Sequence, residues 1–271
     1  GRRIFLPSPR TFASMSCSPS PIRVAVGDFG LCNLFSVKHA CERVGMQASV
    51  TASRNELLNA DGILLPGVGA FGDAMQCLER LKLVDVLREA AALGKPLVGI
   101  CLGMQLLMSE SSEFGRHRGL NLLEGEVVRF EQPRGPRGVL KVPQVGWNRV
   151  RRPITDASKS CAAQPLAPGP SLARKEGSRT GQTSASLARG ETKDIWSGTP
   201  LDGLADGTSM YFVHSFYVKP RRRDAVLSLT RYGDVEFCSA VRRGNVLGFQ
   251  FHPERSGQAG LRLYARTAEF I

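Results

Sequence analysis

Hydrophobic and polar positions follow two rhythms along this chain, and the change between them falls near residue 120. Before it, short apolar runs alternate with stretches of helical period. Ile22 to Val26 alternates into a first strand, with Gly27 to Gly30 as its exit turn. Residues 33–44 put Leu34, Val37, Ala40, Cys41 and Val44 on one face, which predicts a helix stopped by Gly45. A short strand at 48–50, a brief helix from Glu56 and a strand at 62–66 follow, then a single helix over 73–91. Leu97, Val98 and Ile100 form an uninterrupted apolar run, as in a strand buried on both faces. Leu106, Leu107 and Met108 start another helical pattern.

Past residue 120 the pattern predicts shorter, mostly antiparallel strands at 125–130, 145–147, 209–213, 225–229, 235–240 and 246–251, and a last helix at 258–270. Strands alternating with helices imply a mainly parallel sheet covered on both faces, here with antiparallel strands added at the C-terminal side. Two stretches stand outside this pattern. Residues 154–197 are loaded with Ser, Ala, Gly, Pro and Thr. Such a composition cannot bury enough apolar surface to offset its ordering entropy, so it predicts a mobile insertion within one domain spanning 22–271. Residues 1–21 are rich in Ser, Pro and Arg and hold no acid. That is transit-peptide composition, yet no amphipathic pattern accompanies it, which favours a disordered upstream extension with Met15 as the natural start. The expected location is cytoplasmic, with an organelle as the alternative.

Charge changes this picture little. The chain carries +12. Residues 1–23 and 151–197 each hold an excess of four basic groups, leaving only four for the rest, which lacks a basic groove with interleaved aromatics. Nucleic acid is therefore not an expected partner. No run of about 18 apolar residues exists to span a membrane. Seven cysteines, an odd number without CxxC spacing, indicate neither a disulfide framework nor a zinc site.

Candidate chemistry begins at Gly99-Ile-Cys-Leu-Gly103, between the predicted strand and helix. Gly-x-Cys-x-Gly there is the thiol form of a nucleophile elbow, in which a sharp turn lifts one side chain above the sheet. Taken alone the pentapeptide fits a buried structural cysteine equally well. Pro66 to Phe71 also follows a strand, and ligands of parallel sheets sit at such ends, so the two segments can face one pocket. A thiol nucleophile needs a base. His39 and His117 read as solvated or packed. His252 lies in Gln250-Phe-His-Pro-Glu254, where proline favours an extended chain and residues two apart point the same way. Glu254 can then orient the His252 imidazole, giving a nucleophile–base–orienter series with Cys101.

With these segments the chain resembles the class I, triad-type glutamine amidotransferases, whose signatures are the G-x-C-x-G elbow and a late H-P-E. Within them it is similar to the glutaminase subunits of imidazole glycerol phosphate synthases. The distinguishing segments are Asn33 to Val37, Pro66-Gly-Val-Gly-Ala-Phe71, Val142-Pro-Gln-Val-Gly-Trp-Asn148 and Tyr211-Phe-Val-His-Ser-Phe-Tyr217. The resemblance implies a flavodoxin-like open sheet and hydrolysis of glutamine through a thioester on Cys101, with His252 as acid and base and no cofactor or metal. It implies an oxyanion site from backbone N–H groups of Leu102 and of the Gly67–Val68 turn, whose flanking glycines ease a peptide flip. It assigns Gln105, Glu113, His214 and Ser215 to glutamine binding, with Glu113 on the ammonium group. It also implies a heterodimer with a (β/α)8-barrel cyclase that receives the ammonia, Trp147 and Asn148 lying at that interface. Three departures from the family pattern stand out: Gln144 replaces a histidine expected to act on the partner side, Phe29 replaces a tyrosine, and 154–197 has no counterpart. A glutaminase serving another acceptor, or a non-catalytic regulatory homologue, are the alternatives.

Overall fold

The computed structural model describes residues 20–31, 33–153 and 194–271. The N-terminal stretch and most of the low-complexity segment thus lie outside the described residues. Strand β1 (Arg23–Gly27) leads through helix α1 (Leu34–Arg43) to β2 (Gln47–Thr51), α2 (Arg54–Asn59) and β3 (Gly62–Gly67). Helices α3 (Phe71–Arg80) and α4 (Leu83–Ala92) then precede β4 (Leu97–Cys101). These strands lie in the order β2-β1-β3-β4, all parallel, which is the flavodoxin-like order expected. Alternate residues feed two cores. Ala25, Ile63 and Leu65 pack under α2, α3 and α4, while Val24, Val26 and Leu64 pack under α1 on the other face.

The single helix predicted over 73–91 is two helices, because Lys82 turns into a left-handed conformation at φ 56°. A straight helix of that length would run about 28 Å, well beyond strands of five or six residues. The break lets both halves bury an apolar face, Phe71, Ala74 and Leu78 in one and Leu83, Val86 and Leu87 in the other. The pattern at 106–108 is also read differently: helix α5 covers only Leu102–Leu106, and Met108 opens β5 (Met108–Ser111). Leu106, Leu107 and Met108 are all fully buried, so their apolar run carries no period.

The second half adds β6 (His117–Arg118), β7 (Leu123–Arg129), a small hairpin of β8 (Arg134–Gly135) and β9 (Gly138–Val139), and β10 (Gln144–Val150). After the gap come β11 (Thr208–His214), β12 (Phe216–Pro220), β13 (Val226–Tyr232), β14 (Val235–Arg243), β15 (Val246–Phe249) and helix α6 (Gly257–Phe270). Strands β14, β12 and β7 extend the main sheet antiparallel, whereas β10 and β11 form a separate ribbon over it. Strand β15 departs from the antiparallel expectation: it pairs antiparallel with β14 but parallel with β4. No helix among the described residues is long and apolar enough to cross a membrane.

The upper limit of the predicted insertion, residue 197, is corrected. Trp196 is fully buried in the core, and its indole N–H donates to the Leu227 carbonyl at 2.8 Å. Arg152 stacks over the Trp196 ring and forms a paired ion bridge with Asp194, both contacts at 2.8 Å. Asp194 to Ser197 therefore belong to the fold.

Candidate active site

Strand β4 ends in the turn that the glycine spacing predicts. Cys101 adopts φ 55° and ψ −111°, a conformation that costs a non-glycine residue on the order of 1–3 kcal/mol. The neighbouring glycines make it feasible. A Cβ on Gly103 would fall 1.6 Å from the Leu65 carbonyl oxygen, and one on Gly99 would fall 2.6 Å from the Gly103 oxygen. Strand, turn and helix pack so tightly here that no side chain fits on either side of the cysteine.

The register of β15 delivers the second group. Phe249 stands opposite Ile100, so the chain leaving β15 runs past Cys101. Gln250 points its amide at the thiol, Nε2 to Sγ 3.8 Å, and His252 follows two residues on. The His252 backbone N–H donates to the Tyr211 carbonyl at 2.9 Å, and Ser256 Oγ donates to the His252 carbonyl at 2.7 Å. The Tyr211 N–H in turn donates to Ser256 Oγ at 3.0 Å, which clamps this segment to β11. His252 Nδ1 donates to Glu254 Oε1 at 2.8 Å, with both side chains almost completely buried. This fixes the proton on Nδ1 and leaves Nε2 as the ring nitrogen for the Cys101 sulfur.

Electrostatics divides the two histidines of the site. Burial opposes a charge on His252, but the Cys101 sulfur, as a negative charge and hydrogen-bond acceptor, and then the Glu254 carboxylate outweigh it, raising its pKa to about 10. The arrangement thus favours an imidazolium facing a sulfur. His214 is the opposite case. It is buried among Phe130, Phe212 and Phe237, and burial and the nearby His252 lower its pKa to about 4 despite its bond to the Phe216 carbonyl. Other thiols fit the structural role: burial pushes Cys41 up to about 12 and Cys238 higher still.

A cavity of about 290 Å³ opens over the elbow, lined by Val68, Cys101, Leu102, Gln105, Glu113 and Ser215 among others, and by His214. That volume suits a ligand of amino-acid size. Larger surface hollows near Arg242 and Lys95 contain none of these groups. Glu113 Oε2 accepts the Phe71 N–H at 2.7 Å, and burial raises its pKa against that bond. Gln105 Nε2 donates to the Phe216 carbonyl at 3.0 Å and to Gln250 Oε1 at 3.2 Å, so its amide braces the pocket wall.

The two expected oxyanion donors stand in different settings. Leu102 opens α5, where backbone N–H groups lack an intrahelical acceptor. The Val68 N–H, however, donates to the Leu31 carbonyl at 2.8 Å rather than into the cavity. Trp147 is 60% exposed and meets Tyr211 edge-on, with the Arg255 guanidinium over the other ring. Asn148 instead folds onto its own chain, donating to the Arg231 carbonyl and accepting from the Arg149 N–H. Gln144 is buried, opposite His214 in the ribbon. His39 stacks on Phe35 and the His117 ring packs over Gly72, so both stay outside the chemistry.

Residues 25–267 match the model of the class-I glutamine amidotransferase family. The chain belongs to that family. Among curated glutamine amidotransferases it is 40% identical to the imidazole glycerol phosphate synthase subunit HisH of Moorella thermoacetica, over 92% of this chain and 95% of that one. The HisH subunit of Wolinella succinogenes is 39% identical, over 91% of this chain and 98% of its own length. Among solved structures, PurLQS from Thermotoga maritima superposes with a TM-score of 0.61 at 18% identity, covering 92% of this chain and 99% of that one. At that identity the likeness speaks for the amidotransferase fold alone. Two residues of this glutamine amidotransferase site were missed from the sequence, Gln250 and Ser256. Neither titrates in the working range; adjacency to the His-Pro-Glu segment was the one signal available.

Proposed function

We propose that this chain is the glutaminase subunit of an imidazole glycerol phosphate synthase, working in the cytoplasm as a heterodimer with a (β/α)8-barrel cyclase. Cys101 as thiolate attacks the side-chain amide carbon of glutamine. The His252 imidazolium gives its Nε2 proton to the departing nitrogen, so ammonia leaves and a glutamyl thioester remains. Neutral His252 then takes a proton from water, whose oxygen attacks the thioester and releases glutamate. Glu254 holds the imidazole in one tautomer throughout. Glutamine sits with its ammonium on Glu113 and its backbone near Ser215, while Gln105 and His214 shape the wall. The carrying observation is the elbow: Cys101 at φ 55° beside a His252–Glu254 pair joined at 2.8 Å.

The oxyanion of each tetrahedral intermediate is held by the Leu102 N–H and, after the Gly67–Val68 peptide turns over, by the Val68 N–H. Because Val68 now donates to Leu31, the lone chain lacks one donor, which supports low activity until the partner docks. Loss of one such donor costs about 10²–10³ in rate. The exposed Trp147, at the edge of the ribbon, is the anchor for that docking.

The test is glutamate release from glutamine, measured for the chain alone and with a cyclase plus its nucleotide ligand. We expect little release alone and stimulation of about 10²-fold or more in the complex. Stimulation by a different synthase, and none by the cyclase, would overturn the pathway assignment.

A further inference from the structure

Behind the triad, two fully buried polar atoms stand without hydrogen-bond partners among the described residues: Glu254 Oε2 and the Tyr264 hydroxyl. Buried polar atoms are almost always paired, so each calls for an explanation. Glu254 lies in the turn Pro253–Arg255 and Tyr264 in α6, two elements in direct contact. Their approach is unusually close, since a Cβ on Gly260 would fall 1.8 Å from the Pro253 carbonyl oxygen. Tyr264 follows Gly260 by four residues, so both occupy the α6 face turned to that segment. The other buried polar side chain of α6, Thr267, is already satisfied by the Leu263 carbonyl at 2.8 Å.

We propose that Tyr264 is a positioning residue for the glutaminase reaction, its hydroxyl donating to Glu254 Oε2 across one water. The chemistry is complementary: an ionised carboxylate only accepts, and a phenol is the neutral donor that can meet it. Glu254 would then be held from both sides, Oε1 by the imidazole and Oε2 by the phenol. The group closest in character to a rival partner is the Cys41 thiol, also felt by the hydroxyl, but burial keeps it neutral and a weak acceptor. Through Glu254 the phenol sets the plane and tautomer of His252, and hence the aim of Nε2 at sulfur and leaving nitrogen. It touches no substrate.

This inference rests on the glutaminase reading, and its test has one arm that does not. Tyr264→Phe removes the oxygen alone; Tyr264→Leu fills the space with another apolar side chain if the first folds poorly. In the complex with cyclase, kcat for glutamate release falls about tenfold with KM for glutamine unchanged. Independently, the low-field proton resonance of His252 Nδ1–H moves in a chain whose thermal midpoint stays near wild type. A folded variant with kcat within about twofold of wild type and an unmoved resonance overturns the proposal. A wild-type complex that releases no glutamate would instead defeat the glutaminase reading, and the resonance would still answer for Tyr264.

Discussion

His214, at the end of β11, and His252, just past β15, are held in opposite charge states. For His252, raised to about 10, the stabilisation of its charged form is complete below its ordinary value of 6.5 and fades as pH rises through about 10. For His214, lowered to about 4, the sign reverses: between 6.5 and 4 the unfolded chain takes up a proton that the native one refuses. Stability from this group therefore falls as pH drops through that window, by on the order of 3 kcal/mol, and levels off below it. Denaturant titrations between pH 4 and 7 should show this loss, and His214→Asn, which keeps a donor for the Phe216 carbonyl, should shrink it. An unchanged slope in the variant would contradict the burial argument. At this scale the sequence was most legible where residue type alone states the chemistry. Cys101, His252 and Glu254 could be read because their spacing and the proline fix which side chains share a side. The direction of the Val68 N–H could not, because peptide orientation is set by the Leu31 carbonyl and not by residue type.

At the scale of elements, the site depends on two parallel strands ending side by side. Strand β4 supplies the elbow and β15 brings His252 from far downstream, with the Phe249–Ile100 pairing setting their offset. Strands and helices of the first half were legible from their periods, apart from the apolar run at 106–108 and the break at Lys82, which neither glycine nor proline marks. The parallel partner of β15 was not legible, since a short apolar run looks alike beside any neighbour. The elbow's tolerance is tight at Gly103. Gly103→Ala must move Leu65 or α5, and a cost of about 3 kcal/mol or more in unfolding free energy is expected. Thermal and denaturant melts check this, and a near-neutral substitution would mean that the strand-turn-helix packing is looser than described.

Across the whole molecule, the chain separates a catalytic sheet from what surrounds it. The described residues that flank the low-complexity stretch meet at the Arg152–Asp194 bridge, with the Arg152 guanidinium over Trp196. The last four residues of the predicted insertion escaped the sequence reading because one buried tryptophan at the edge of a polar run leaves no period. Trp147 and Val145 are exposed apolar side chains of β10, and Val68 is exposed at the cavity. The central claim, a thioester at Cys101, is tested most directly by acid-quenching the complex during turnover and mapping the digested chain by mass. The account predicts a glutamyl adduct on the peptide bearing Cys101 and none on those bearing Cys41, Cys77 or Cys238, with both adduct and glutaminase activity lost in Cys101→Ala. An adduct on another cysteine, or glutamine hydrolysis that persists in Cys101→Ala, would contradict it.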